Sequence, residues 1–386
     1  MNFTLTEDQR QLQQSARDFA QSELPAIAAQ LERDNTPAPV ALIRQYAELG
    51  FLGINVPEEL GGLGMGNLEA LIVLEEFAKI SSAVAFPIFE SSVGPVRAIE
   101  LFGSDTLKER IVPAVCKGEM VVAVAMSEPD AGSALTDLKT TAEIRGDTVV
   151  LNGTKRWCSG GGHSSAYLVY CRLSPEKGAK GIGAVLVEQG AGGMSFGPNE
   201  ELMGFRGIPS ADIYFDECEV PLDNVVVPAG GFRKLMEAFD LERCGNATMS
   251  MAQASGALED VLAYVQDRKQ FGKPIVDFQA VQLKLAEMQM SVDAARLLIW
   301  RAASNAENAL PSVQDSSVAK CFANNISREV TGNALQLMGA YGYSKEFPME
   351  RRLRDAWGWG IAGGAIDIQK TNIASAMIGR RFDQRR

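Results

Sequence analysis

The sequence predicts an α+β chain of several domains: N-terminal helices over residues 1–118, a middle antiparallel β domain over 119–225 and a C-terminal helical bundle over 226–386. Three observations predict it. A helix start signal opens a stretch free of strand patterns; short β-branched runs separated by turns begin near Glu119; and an apolar stripe at helical spacing dominates the region after Gly230. A chain of 386 residues suits two or three domains at roughly 150 residues each.

At the N-terminus, Thr6-Glu7-Asp8-Gln9 has the form of a capping box, with Gln9 placed to return to the cap. Leu12, Ala16, Phe19 and Ala20 then recur on one helical face. A second helix is expected over Ala70–Lys79, after the glycine loop Gly61-Gly62-Leu63-Gly64-Met65-Gly66. That loop follows Pro57-Glu58-Glu59 rather than a strand, and its spacing is not G-x-G-x-x-G, so it is not read as a dinucleotide phosphate loop. In the middle region Val121–Met126 is a short apolar run. Thr148–Leu151, Asn152-Gly153 and Thr154–Trp157 read as a hairpin, because Asn-Gly supplies the two positive φ angles of a type I′ turn. Ala166–Leu173, Ile182–Val187 and Ala211–Phe215 continue as strands. Val281, Leu285, Met288, Val292, Ala295 and Ile299 then form the buried stripe of a long helix, a packing feature rather than a cofactor motif.

Composition excludes several classes of function. Thirty-seven Lys and Arg against 48 Asp and Glu leave a net charge of −11, a poor basis for binding nucleic acid by counterion release or for docking on anionic lipid. The basic tail Arg380–Arg386 is a local exception, expected to be solvated or to touch a subunit. No apolar run reaches the ~20 residues of a bilayer span, and MNFTLTEDQR lacks the layout of a signal peptide, so a cytoplasmic location is expected. The six cysteines are scattered, and the single histidine, His163, reads as a polar loop residue; no metal-ligand set and no Ser-His-Asp triad follows. Chemistry must therefore come from carboxylates, backbone dipoles or a borrowed cofactor.

Seven segments together resemble the acyl-CoA dehydrogenase family of flavoproteins. They are VPEELGGLGMGNLEALIVLEEFAK (56–79), AMSEPDAGS (125–133), LNGTKRWCSGGG (151–162), MGFRGIPSADIYFDECEVP (203–221), DRKQFGKPIVDFQAVQLKLAEM (267–288), LQLMGAYGYSKEFPMERRLRDA (335–356) and IAGGAIDIQ (361–369). They run in family order over nearly the whole chain, and the family fold ends in a four-helix bundle. The resemblance implies FAD as cofactor and an acyl-CoA thioester as substrate. A carboxylate would take the α-proton while the β-hydrogen leaves as hydride to the flavin, which demands a dry, preorganised site.

By position in the motifs, the resemblance implies that Met126 and Ser127 hold the flavin ring, Trp157 covers one of its faces and Ser159 bonds near its N5 edge. It places Ser133 against CoA, and Arg268 with Phe271 and Gln279 at the FAD of a neighbouring subunit, where Gln336, Leu337 and Gly339 line the same shared cofactor. Ala365 and Asp367 of the last segment join the FAD contacts. A shared cofactor implies a homotetramer, and the implied electron acceptor is an electron-transferring flavoprotein. Taken singly, Trp157 also reads as a core aromatic of a strand and Arg268 as a helix-end charge.

One position departs from the commonest family pattern. Where many members carry the catalytic glutamate, in I-Y-E-G-T-x-E-I-Q, this chain has Gly363, with Ala362 and Ala365 in place of the tyrosine and threonine. Glycine cannot accept a proton, but its N–H can still polarise a thioester carbonyl. The isovaleryl and long-chain branch of the family places its base in an L-E-R element on another helix. The matching stretch here is Phe239-Asp240-Leu241-Glu242-Arg243. Glu242 is thus the candidate base, with a pKa expected to be raised by burial, and Asp240, Arg243 and Gly364 are the residues expected on the substrate side. An exposed glutamate paired with an arginine is the plain alternative for Glu242. The small residues at 360, 363 and 364 suggest a thin wall and hence a branched, aromatic or otherwise bulky acyl group.

The resemblance leaves rival reactions on the same fold. Sulfinopropionyl-CoA desulfinases share the glycine at 363, but they carry glutamine in place of Glu242 and an arginine for which Ser82–Pro87 offers no counterpart. An enoyl-CoA reductase would run the same transfers backward, and a catalytically silent flavin-binding subunit would need no base.

Overall fold

The computed structural model describes residues 4–306 and 310–382. The last four residues of the basic tail lie outside them. The N-terminal region folds into six α-helices: α1 (Glu7–Asp34), α2 (Val40–Glu48), α3 (Asn67–Ile80), α4 (Ser82–Ser92), α5 (Val96–Phe102) and α6 (Asp105–Cys116). The capping box forms as expected: Gln9 N–H donates to Thr6 Oγ1 at 3.2 Å, and Thr6 N–H donates to Gln9 Oε1 at 2.9 Å. Ala16 and Ala20 are fully buried, with Leu12 and Phe19 packed beside them. The glycine loop folds back on the chain before it; a Cβ at Gly62 would lie 2.1 Å from the Val56 carbonyl oxygen. This backbone contact leaves the loop structural, with no strand before it.

The middle region is a sheet of eight strands: β1 (Val122–Ala125), β2 (Thr141–Arg145), β3 (Thr148–Ser159), β4 (Ala166–Arg172), β5 (Ile182–Glu188), β6 (Met194–Phe196), β7 (Ser210–Pro221) and β8 (Val225–Val227). Their order is β6-β7-β3-β2-β4-β5-β8, with β1 beside β4. Most pairs are antiparallel, but β1 runs parallel to β4, and β2 meets β4 in parallel at one position.

The expected hairpin at Asn152-Gly153 does not form. The turn lies earlier, at Gly146-Asp147, where Arg145 pairs with Thr148 and Gly146 takes φ 68°. Asn152-Gly153 is instead a bulge inside the continuous strand β3, opposite β7. The Asn152 amide clasps Glu217 there through two hydrogen bonds of 2.7 and 2.9 Å. A Cβ at Gly153 would lie 2.6 Å from Thr140 Oγ1, so glycine is required by close approach rather than by a turn.

Helices return with α7 (Phe232–Asp267), followed by the short β9 (Lys269–Gln270) and β10 (Lys273–Pro274), then α8 (Gln279–Ser304), α9 (Val313–Met338), α10 (Ala340–Tyr343), α11 (Met349–Trp359) and α12 (Ile366–Ile378). The stripe read from the sequence lies on α8, where Met288, Val292, Ala295 and Ile299 are buried and Val281 and Leu285 pack at the edge of the core. One apolar core joins α1–α4 to α7, α8 and α9. A second core packs α5 and α6 with one face of the sheet and the first turns of α7, and a third closes the other face. The start of α7 therefore lies where sheet, N-terminal helices and bundle meet. No helix among the described residues is long and apolar enough to cross a membrane, and all six cysteines are buried and unpaired.

Candidate active site

A cleft of about 2490 Å³ opens at that junction. It exceeds the few hundred to ~1,000 Å³ of an ordinary small-molecule pocket and has room for two large ligands. One wall comes from the sheet. The β3–β7 register breaks between Lys155 and Cys158, and Trp157 takes φ 60° at this irregularity. A bulge re-aims a side chain, and Trp157 stands half exposed in the cleft with the Arg156 guanidinium 4.4 Å from its ring centre.

The segment after β1 is pinned to β3 from behind. Lys155, fully buried, donates to the Met126 carbonyl at 3.0 Å and to Glu128 at 2.8 Å, and Arg156 N–H donates to the Ser127 carbonyl at 2.9 Å. Glu128 also accepts from the backbone N–H groups of Lys139 and Thr140. Burial alone would raise its pKa, but the ammonium and these donors hold it below the ordinary carboxylate range. Met126, Ser127, Ser133, Trp157 and Ser159 all line the cleft.

The facing wall is α7 with the segment between α11 and α12, which contribute Asp240, Glu242, Arg243, Gly363, Gly364 and Ala365. Arg243 is tied to Asp240, whose carboxylate also accepts from Ser316 at 2.7 Å. Glu242 makes neither a hydrogen bond nor an ion pair among the described residues, so the plain alternative of a glutamate paired with an arginine does not apply. Enclosure by protein pushes its pKa up to about 8, with the Arg243 charge opposing the rise.

Gly363 has φ 64°, and its N–H donates to no described residue, so it is free to face a ligand oxygen. A Cβ added there would meet Asn246 Nδ2 at 3.2 Å and Lys320 Cε at 3.5 Å. Lys320 is fully buried and bonds Asn324 and the Trp359 carbonyl; burial, helped by Arg243, pushes its pKa down to about 7. The expected thin wall is therefore corrected. The space beside Gly360 is filled by Arg328, beside Gly363 by Asn246 and Lys320, and beside Gly364 by Gln369. The cleft extends instead to α4, where Phe86, Phe89 and Glu90 line it together with Phe239 and Trp359.

Sequence reasoning missed these α4 residues. Their signal was present, since Phe86, Phe89 and Glu90 are spaced three and four apart on one helical face, but a glutamate at the end of an apolar run carries no motif.

Seven expected site residues do not reach this cleft. Arg268, Phe271, Gln279, Gln336, Leu337 and Gly339 gather at one end of the helical bundle, where the Arg268 guanidinium lies 5.6 Å from the Tyr341 ring centre and Phe271 is 93 % exposed. Asp367 faces solvent from the first turn of α12, paired with Lys370. A single chain does not bring these residues to the residues around Trp157. His163 is exposed, and no group of three or more His, Cys, Asp or Glu among the described residues is placed to hold a metal ion.

Comparison with known proteins agrees with this architecture. The N-terminal, middle and C-terminal domains of acyl-CoA dehydrogenase match residues 6–119, 123–218 and 229–378. The chain belongs to the acyl-CoA dehydrogenase family. It is 38 % identical to a 3-sulfinopropanoyl-CoA desulfinase of Paraburkholderia xenovorans, over 100 % of this chain and 99 % of that one. It is also 38 % identical to an acryloyl-CoA reductase (NADH) of Anaerotignum propionicum, over 98 % and 97 %. The solved butyryl-CoA dehydrogenase from Megasphaera elsdenii superposes with a TM-score of 0.94 at 31 % identity, covering 98 % of this chain and 100 % of that one.

Proposed function

We propose that this chain is an FAD-dependent acyl-CoA dehydrogenase that oxidises an acyl-CoA thioester to its 2-enoyl-CoA, with Glu242 as the base. The observation that carries the reading is the unpaired carboxyl of Glu242 in the cleft that Gly363 also lines. The residues fit a flavin: Trp157 at its bulge offers an aromatic face, and Met126, Ser127 and Ser159 surround it with backbone groups and hydroxyls. When bound, FAD supplies the two-electron acceptor for the hydride leaving the β-carbon.

The chain's own residues do the rest. The Gly363 N–H polarises the thioester carbonyl, which acidifies the α-carbon, and a Glu242 carboxylate oxygen takes the α-proton. Enclosure of the base makes it stronger than a solvated carboxylate. Arg268, Phe271, Gln279, Gln336, Leu337 and Gly339 serve the cofactor of a neighbouring copy in a homotetramer, and Ala365 and Asp367 lie at its edge. Electrons pass to an electron-transferring flavoprotein in the cytoplasm. The aromatic walls from Phe86, Phe89, Phe239 and Trp359 suit a branched or aryl acyl group.

Anaerobic mixing of the yellow holoenzyme with a thioester panel tests this reading. Isovaleryl-CoA and 3-phenylpropanoyl-CoA are expected to bleach the flavin band with higher kcat/KM than butyryl-CoA. A flavin left unchanged by every thioester would remove the oxidation, and a preference for butyryl-CoA would remove the bulky acyl group. The relation to an acryloyl-CoA reductase supports a second reading, the same transfers run backward, for which the oxidised flavin would be regained on adding a 2-enoyl-CoA to the reduced protein.

The base also sets a pH dependence. Glu242 must be ionised to accept a proton, and its pKa is pushed up to about 8. The kcat/KM for flavin reduction should therefore rise with pH and level off above that value, since this parameter titrates the free enzyme. A profile flat from pH 6 to 9 would show that another group accepts the proton.

A further inference from the structure

The Ala362 carbonyl and the Gly363 N–H belong to one planar trans peptide, so they point in opposite directions. Whatever holds the carbonyl therefore aims the N–H. The holder is Asn246, whose Nδ2 donates to the Ala362 carbonyl at 3.3 Å. Asn246 stands on α7 one turn after Glu242, and both line the cleft, so one helix carries the candidate base and the anchor of this peptide. Just before it, the Ile361 and Ala362 N–H groups donate to the Gly358 carbonyl and close the turn.

Asn246 is the last link of a chain that starts inside the helical bundle. Lys320 Nζ donates to Asn324 Oδ1 at 3.0 Å, and Asn324 Nδ2 donates to Asn246 Oδ1 at 3.2 Å. Lys320 and Asn324 lie one turn apart on α9, fully buried and behind the cleft wall. Lys320 also donates to the Trp359 carbonyl at 3.3 Å, so it grips the loop directly at one end and through two amides at Ala362. Both ends fix the polarity of the chain: the lysine head group donates, and a peptide carbonyl only accepts. Each amide must then turn its oxygen toward Lys320 and its nitrogen toward Ala362. Donors aligned in this way polarise one another and the peptide they end on, which strengthens the Gly363 N–H as a donor. Packing alone would not call for this alignment, since three apolar side chains could fill the volume without desolvating an amine.

We infer that the chain Lys320–Asn324–Asn246 is the positioning device of the Gly363 N–H, fixing the plane and polarity of the peptide that meets the thioester oxygen. This rests on the reading of the cleft as an acyl-CoA site, and it adds three positioning residues to that reading.

The test reads carbonyl polarisation without turnover. 3-(4-Dimethylaminophenyl)acryloyl-CoA is a 2-enoyl thioester whose electron-rich ring is conjugated to the carbonyl, so a hydrogen bond to that oxygen moves its absorption to longer wavelength. Binding to the holoenzyme is expected to shift the band to the red, and Asn324→Leu should lose more than half of that shift. With the best thioester of the panel at saturation, the same variant should reduce its flavin about 10- to 100-fold more slowly, because a misaimed donor forfeits oxyanion stabilisation. Its thioester Kd should stay within about threefold of the wild type, as for an interaction made mainly in the transition state. Asn324→Asp keeps the shape and can pair with Lys320 but offers no donor, so Asn246 must turn its oxygen onto the Ala362 carbonyl. It should show the same losses, and it carries the test where the leucine variant does not fold. Ser317→Ala is the control. Ser317 ties the same loop to α9 through Gln369 and the Gly364 carbonyl, at 3.0 Å for each bond, but that carbonyl belongs to a different peptide. Its band shift and rate should stay near those of the wild type.

A wild-type complex without a red shift overturns the inference, as does a full shift with wild-type reduction in either folded Asn324 variant. An equal loss in Ser317→Ala also overturns it, because general loosening of the loop would then be the cause. A red shift that depends on Asn324, without flavin bleaching by any thioester, would discard the oxidation and keep the positioning chain. Bleaching with a shift that ignores Asn324 would do the reverse.

Discussion

Glu242→Gln is expected to bind FAD and acyl-CoA normally and to reduce its flavin at least ~10³-fold more slowly than the wild type in anaerobic stopped-flow. Glutamine keeps the volume and polarity of the side chain but cannot accept a proton. The effect is large because Gly363 has no side chain and Asp240 is engaged by Arg243 and Ser316. Reduction at the wild-type rate would mean that the carboxyl of residue 242 is not the proton acceptor.

The same variant carries a second signature, in stability. The folded-state pKa of Glu242 lies above its value of 4.5 in an unfolded chain, at about 8. Its contribution to stability is therefore fully present below pH 4.5 and is lost as pH rises through about 8. Glutamine does not titrate, so thermal melts of variant and wild type should coincide at acid pH. Above pH 8 the variant should melt higher, by an amount on the order of a few kcal/mol at most, since the cleft also admits water. A chain that is destabilised by its own candidate base is a sign of a group kept for chemistry.

Lys155→Met should give the largest loss of stability from a single substitution near the site, about 3–5 kcal/mol in denaturant titrations of the FAD-free protein. Lys155 is fully buried and is the cationic partner of Glu128; methionine would leave that carboxylate enclosed without its counter-charge. The Met126 carbonyl would lose its donor as well, loosening the strand end that presents Met126 and Ser127 to the cleft, so FAD affinity should fall with stability. The double variant Lys155→Met with Glu128→Gln should recover a large part of the loss, because it removes the stranded charge. A double variant no more stable than Lys155→Met would show that the loss comes from packing instead.

Residue pattern revealed much of this architecture. The capping box at Thr6–Gln9 and the stripe on α8 rest on local periodicity, and both appear where the spacing puts them. The turn at Asn152-Gly153 failed for the opposite reason. Both Asn152-Gly153 and Gly146-Asp147 are good turn pairs, and the choice was made by β7, whose Glu217 holds Asn152 within a continuous strand. The thin wall failed similarly: a glycine marks a missing side chain, but which neighbour takes the space depends on Arg328 and Gln369, far from it in the chain or beside it only after folding.

By itself the sequence determined the three-part order of helices, sheet and helices, and the reciprocal pattern of Gly363 with Glu242, because each depends on residue type and local spacing. Only the tertiary structure decided that Glu242 is unpaired, that Glu90 joins it from α4, and that Arg268 and its companions lie apart from the residues around Trp157. The physical reason is that enclosure and charge coupling are properties of neighbours. Glu90 and Glu242 are separated by the whole of the sheet in sequence, and desolvation acts on them only once α4 packs against α7.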